Sequence, residues 1–87
     1  NDAITREDAC TLLYRAFQTL GLNMTTGTAN DLNTFGDAAK VDSYAVNGVA
    51  GMVKSGIIGG DQNHNISPKN NLTRGEISVI LHRAMTL

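Results

Sequence analysis

The chain has one cysteine, one proline, no tryptophan and no large excess of either charge. Each scarcity excludes something. Cys10 cannot close an intrachain disulfide and has no CxxC or Cys/His ligand set around it. It reads as a small buried hydrophobe. Two Tyr and two Phe among 87 residues leave little aromatic material for the core. Seven Lys and Arg against eight Asp and Glu give a net charge of −1. That balance argues against nucleic acid as a partner, because its binding needs a basic face. No apolar run is long enough to span a membrane, and there is no signal peptide. The sequence begins inside an element, as a piece of a longer protein does, so any export signal is expected outside it. The length suffices for one small domain with a modest core.

What is present is a repeated phrase. Near the start stands "ITREDACTLLYRAF" and near the end "LTRGEISVILHRAM". Thr5/Thr73, Arg6/Arg74, Leu13/Leu81, Arg15/Arg83 and Ala16/Ala84 match at an offset of 68 residues. This is an internal repeat, with the first copy present only as its final helix.

Helical periodicity predicts three helices, over about 5–20, 42–55 and 73–85. Ala9, Leu12, Leu13, Ala16, Phe17 and Leu20 line one face of the first. Ala45, Gly48, Val49, Met52 and Val53 line the second. Gly48 and Gly51 cost that helix roughly 1 kcal/mol each against Ala, tolerable where another backbone packs closely. Gly56 suits its C′ position. Ile77, Ile80, Leu81, Ala84 and Met85 line the third. Thr5 and Thr73 are N-cap candidates. Thr73 with Glu76 fits a capping box, and Thr5 with Asp8 is a weaker one because Asp is shorter.

Residues 21–40 read as an irregular loop rich in Gly, Thr and Asn. In "GIIGGDQNHNISPKNN", Ile57-Ile58 and Ile66-Ser67-Pro68 read as extended pieces that can pair as a small hairpin. Pro68 should push Ser67 towards extended geometry.

Arg6 and Arg74 fall at the first helical position, where the helix dipole disfavours a cation by roughly 0.3–1 kcal/mol. Two readings account for them. Each Arg pairs with Asp8 or Glu76 while its stem covers apolar surface. Alternatively, guanidinium and free backbone N–H groups together make an anion site suited to a carboxylate. Arg15 and Arg83 lie nine residues further on, on the opposite side of each helix. They are expected to stand apart from Arg6 and Arg74, solvated or paired.

These residues resemble the S-layer homology (SLH) family. Phe35-Gly36-Asp37, Tyr44-Ala45, Gly56-Ile57-Ile58-Gly59-Gly60, Ile66-Ser67-Pro68 and Thr73-Arg74-Gly75-Glu76 follow its motifs in order. The resemblance implies a mainly α, SLH-type helical repeat with short extended segments between helices. Residues 1–22 are then the end of a preceding repeat, 23–33 a linker loop, and 34–87 one complete repeat. It also implies a non-catalytic anchor of bacterial surface proteins, outside the cell in the wall or S-layer. Its partner would be an anionic, often pyruvylated, secondary cell-wall polysaccharide. The ligand residues carried over are Arg6 and Arg74, with Asp37, Tyr44 and Glu76. Arg6 is expected to face Asp37 and Tyr44, and Glu76 to cap its helix and orient Arg74. A groove for Arg74 would need a following repeat or a second copy. Tyr44 stands in place of Trp, Ile66 of Phe, Asp8 of Glu, Gly75 of Ala, and His64 of a turn Gly. The turn at His64 is therefore expected to be strained or reshaped.

Rival functions are weaker. "DQNHNISPKNNL" opens like a calcium loop, but Ile66 stands where Gly is needed and Leu72 where the bidentate Glu is needed. His64 and His82 belong to no catalytic set, and no cofactor is called for. Self-association remains an alternative, because one and a half repeats leave apolar helix faces short of partners.

Overall fold

The computed structural model describes residues 4–60 and 63–86. It is mainly helical: α1 (Arg6–Thr19), α2 (Val46–Lys54) and α3 (Arg74–Met85). Short 3-10 turns at Ala29–Leu32, Ala38–Lys40 and Ser43–Ala45 order the connection between α1 and α2, and the last runs directly into α2.

The helix ends follow their local chemistry. At α3 the capping box is complete: Thr73 Oγ1 accepts from the Glu76 N–H at 3.1 Å, and Glu76 Oε1 accepts from the Thr73 N–H at 3.0 Å. At α1 only half forms. Thr5 Oγ1 accepts from the Asp8 N–H at 3.3 Å, and the shorter Asp8 side chain turns elsewhere. Gly56, at φ 80°, closes α2, and the Ile57 and Ile58 N–H groups turn back to the Met52 carbonyl.

That closure removes the expected hairpin. Neither Ile57-Ile58 nor Ile66 forms a strand among the described residues, and residues 61–62 of the turn lie outside them. The extended pairing falls elsewhere, as an isolated antiparallel bridge between Thr5 and Asn71. Ser67 also departs from expectation: its φ is 56°, left-handed rather than extended. The cause is the Asp37 carboxylate, which accepts from the Ile66 N–H at 2.8 Å and the Ser67 N–H at 2.7 Å. Two successive N–H groups converging on one carboxylate override the preference that Pro68 imposes. His64 is left-handed too, at φ 61°, and its ring stacks on Phe35 with centroids 4.7 Å apart.

α1 packs closely on α2, which explains the two α2 glycines. A Cβ at Gly48 would lie 2.8 Å from Thr11 Cα, and one at Gly51 would lie 2.2 Å from the Tyr14 ring. The contact face of α1 is therefore Cys10, Tyr14 and Phe17 with Ala9. The predicted stripe is corrected in part: Leu12, Ala16 and Leu20 are exposed. The periodicity fitted two adjacent stripes, and the close approach of α2 selected the one that fits Tyr14 against Gly51. On α3, Ile80 and Ala84 are buried, whereas Leu81 and Met85 are exposed. Leu32, Phe35, Val41, Ile57, Ile66 and Leu72 complete the core from the connecting segments.

Candidate functional site

The two repeated Thr-Arg phrases meet in space. The Arg6 N–H donates to the Asn70 carbonyl at 2.7 Å, and the Glu7 N–H to the Pro68 carbonyl at 3.0 Å. The start of α1 is thereby docked beside the start of α3. The Arg6 guanidinium pairs through Nη1 with Glu76, across the repeat boundary rather than with Asp8 in its own copy. Glu76 accordingly pairs with Arg6 and not with Arg74. Burial pushes the Glu76 carboxyl up, but the Thr73 N–H and Arg6 more than offset this and hold it below the usual carboxylate range. The docking also removes one expected source of anion binding. The α1 N–H groups at Arg6 and Glu7 are spent on loop carbonyls and cannot serve a ligand.

Arg6 and Glu76 line a cleft of about 340 Å³ with Gly59, Gly60, Asn65 and Arg83. Arg83 donates from Nη1 to the Ile57 carbonyl at 2.9 Å. The expectation that Arg83 stands apart from the first-turn arginines holds only within its own helix. Arg6 comes from the other copy, and docking brings the two cations to one cleft. Arg6 Nε is buried and has no hydrogen-bond partner among the described residues. Gly75 lines the same cleft at the second position of α3, where a backbone N–H has no intrahelical acceptor.

Tyr44 is placed elsewhere. Its hydroxyl donates to the Asp8 carboxylate and lies 3.3 Å from Glu7 Oε2. The Asp8 hydrogen bond, then burial and the two negative charges, push the phenol pKa up. Glu7 is the centre of this group. It is 2% exposed and accepts from the Asp42 N–H at 2.9 Å and from Lys69 Nζ at 2.7 Å. Lys69 also binds the Asp42 carboxylate, which raises the Lys69 pKa and lowers that of Asp42. Tyr44 lines a second cleft, of about 460 Å³, with Tyr14, Arg15 and Gln18.

The sequence reading placed Arg6 opposite Asp37 and Tyr44. In the structure Arg6 meets Glu76 and Arg83, Asp37 binds the loop N–H groups of Ile66 and Ser67, and Tyr44 binds Asp8 and Glu7. Arg74 is exposed at the start of α3. Sequence reasoning missed Glu7 and Lys69. The available signal was the mismatch between the copies, since Glu7 aligns with Gly75. Asp61, the first residue of the calcium-loop reading, lies outside the described residues, and no group of potential metal ligands occurs among those described. Burial pushes the Cys10 thiol up to about 12, and no helix among the described residues is long and apolar enough to cross a membrane.

Comparison with known proteins agrees with the motif order. The S-layer homology domain family matches residues 34–77. An amylopullulanase of Thermoanaerobacterium thermosulfurigenes is 34% identical over 82 residues, 94% of this chain and 4% of that protein. The exoglucanase XynX of Acetivibrio thermocellus is 32% identical over 84 residues, 94% of this chain and 7% of that protein. The chain thus spans a small fraction of the curated relatives it matches. No solved structure matches at a significant level. With its mainly helical fold and its ordered motifs, the chain belongs to the S-layer homology domain family, whose members are generally cell-wall anchoring modules of surface proteins.

Proposed function

We propose that this chain anchors its parent protein outside the cell by binding a carboxylate-bearing secondary cell-wall polysaccharide in the Arg6 cleft. The observation that carries the reading is the state of Arg6. One guanidinium nitrogen holds Glu76, while Nε is buried without a partner in a cleft shared with Arg83. Among the described residues, two cations against one carboxylate give the cleft lining a net positive charge. A pyruvyl carboxylate meets there a planar fork and the first turn of α3. Binding is non-catalytic. Asp37 supports the wall of the cleft by holding the Ile66–Ser67 backbone. Arg74 serves an equivalent groove completed by a following repeat or a second copy. Residues 1–22 are assigned to the end of a preceding repeat.

The test is sedimentation of the purified chain with bacterial walls before and after hydrofluoric-acid extraction, alongside Arg6→Ala. Binding that requires the extractable polymer and falls with Arg6→Ala supports the reading. Equal binding by a folded Arg6→Ala chain refutes it. One observation favours a second reading, self-association: Leu12 and Leu20 on α1, and Leu81 and Met85 on α3, are exposed. Analytical ultracentrifugation across a concentration series tests it, and a monomer throughout rejects it.

A further inference from the structure

Asn47-Gly48 is the only Asn-Gly step in the sequence, and it falls in the first turn of α2. Asn47 is exposed to water, and Gly48 is buried. An Asn followed by Gly carries a reaction of its own, because no side chain shields the next backbone nitrogen. The Gly48 nitrogen, on losing its proton, attacks Asn47 Cγ. A C–N bond forms, the Cγ–Nδ2 bond breaks, and ammonia leaves with the proton. The resulting succinimide takes up water at one of its two carbonyls. Opening at the side-chain carbonyl gives Asp. Opening at the main-chain carbonyl gives isoaspartate, in which the chain runs through Cβ and Cγ. Nothing is oxidised or reduced.

The fold holds this reaction off. The ring closes only when the Gly48 nitrogen and Asn47 C, Cα, Cβ and Cγ come close to one plane. Helical ψ, about −42°, turns that nitrogen out of the plane. Asn47 is not at a frayed end, since the 3-10 turn Ser43–Ala45 runs directly into α2. The fold also sets what each product costs. α1 and α2 approach so closely that a Cβ at Gly48 would lie 2.8 Å from Thr11 Cα. Isoaspartate adds a methylene to the main chain directly before that contact, where the packing has no room for a displaced backbone. Asp keeps the main chain as it is. It also places a negative charge in the first turn of a helix, where it is favourable.

We propose that Asn47-Gly48 is a deamidation site gated by the packing of α1 on α2: closed while α2 is folded, reactive when it opens, and irreversible once isoaspartate forms. The inference needs no ligand and is independent of Arg6 and of the anchor reading. To test it, the purified chain is aged at mildly alkaline pH across a series of urea concentrations. Peptide mapping by mass spectrometry follows Asp and isoaspartate at each asparagine. In the unfolded chain Asn47 should convert before any other asparagine. Below the unfolding midpoint its rate should scale with the unfolded fraction measured by circular dichroism. Gly51→Ala, whose methyl meets the Tyr14 ring, should convert faster in buffer by the factor its unfolded population rises, about 5-fold or more. Asn47→Asp should melt no lower than the parent. The isoaspartyl chain, separated by chromatography after ageing in urea, should not regain the parent's helical signal on dilution. Slower conversion at Asn47 than at another asparagine in the unfolded chain overturns the proposal. So does a native rate that ignores the unfolded fraction. An isoaspartyl chain that refolds and melts with the parent overturns it as well, because the α1–α2 contact then tolerates the longer backbone.

Discussion

Replacing Glu7 by alanine tests whether the buried carboxylate holds the two copies together. The substitution leaves the Asp42 N–H without its acceptor and takes one of two carboxylate partners from Lys69. An orphaned backbone donor costs about 1–3 kcal/mol, with the lower half apt here because Asp42 lies at the surface. Loss of the hydrogen bond from Lys69 to the 2%-exposed carboxylate adds to this only weakly, because the Lys69 ammonium is exposed to solvent. Loss of the carboxylate also relieves its own desolvation. The net expectation is a destabilisation of about 1–2 kcal/mol, or a melting temperature lower by roughly 4–16 °C for a domain of this size. Urea unfolding followed by circular dichroism reads the change, with an unchanged m-value as the check on two-state behaviour. A double-mutant cycle with Lys69→Met should show that the two substitutions are not additive. A loss below about 0.5 kcal/mol for Glu7→Ala, or no coupling, would refute the argument and leave Glu7 a tolerated burial rather than a clamp.

Gly51→Ala should destabilise by about 1–3 kcal/mol despite its better helix propensity, because the new methyl meets the Tyr14 ring. Thermal melts of Gly51→Ala with and without Tyr14→Leu check this, and relief is expected in the pair. Stability should fall with acid. Glu76 and Asp42 both have lowered pKa values, so their contribution is complete above the unfolded carboxylate range and is lost as pH drops through the folded values below it. Urea midpoints measured from pH 6 down to about pH 3 should decline, less steeply in Glu76→Gln. Cys10 should resist thiol reagents in the native state and react on unfolding, since it is fully buried and its pKa is pushed up to about 12. Fast native labelling with a thiol-reactive chromophore would contradict that burial.

The local chemistry of the helices was legible in the residues themselves. Period, caps and the Gly56 terminator depend on neighbours within a few positions, and the helices fall within a residue or two of expectation at most ends. The order of motifs was equally legible, and it carried the family. The sequence also showed that Arg6 and Arg74 stand where a helix disfavours them, and that Gly48 and Gly51 ask for a close neighbour. What it could not determine was the partner of each. Arg6 reaches Glu76 because the start of α1 hydrogen-bonds the chain just ahead of α3, a contact between residues more than sixty positions apart. The same docking spends the α1 N–H groups, brings Arg83 to Arg6, and separates Tyr44 from both. Asp37 turns Ser67 left-handed against the local preference that Pro68 sets. Spacing along one helix fixes which residues share a face. Which of two apolar stripes is buried, and which arginines share a cleft, follow from how the packed elements approach one another, and only the tertiary structure decides that.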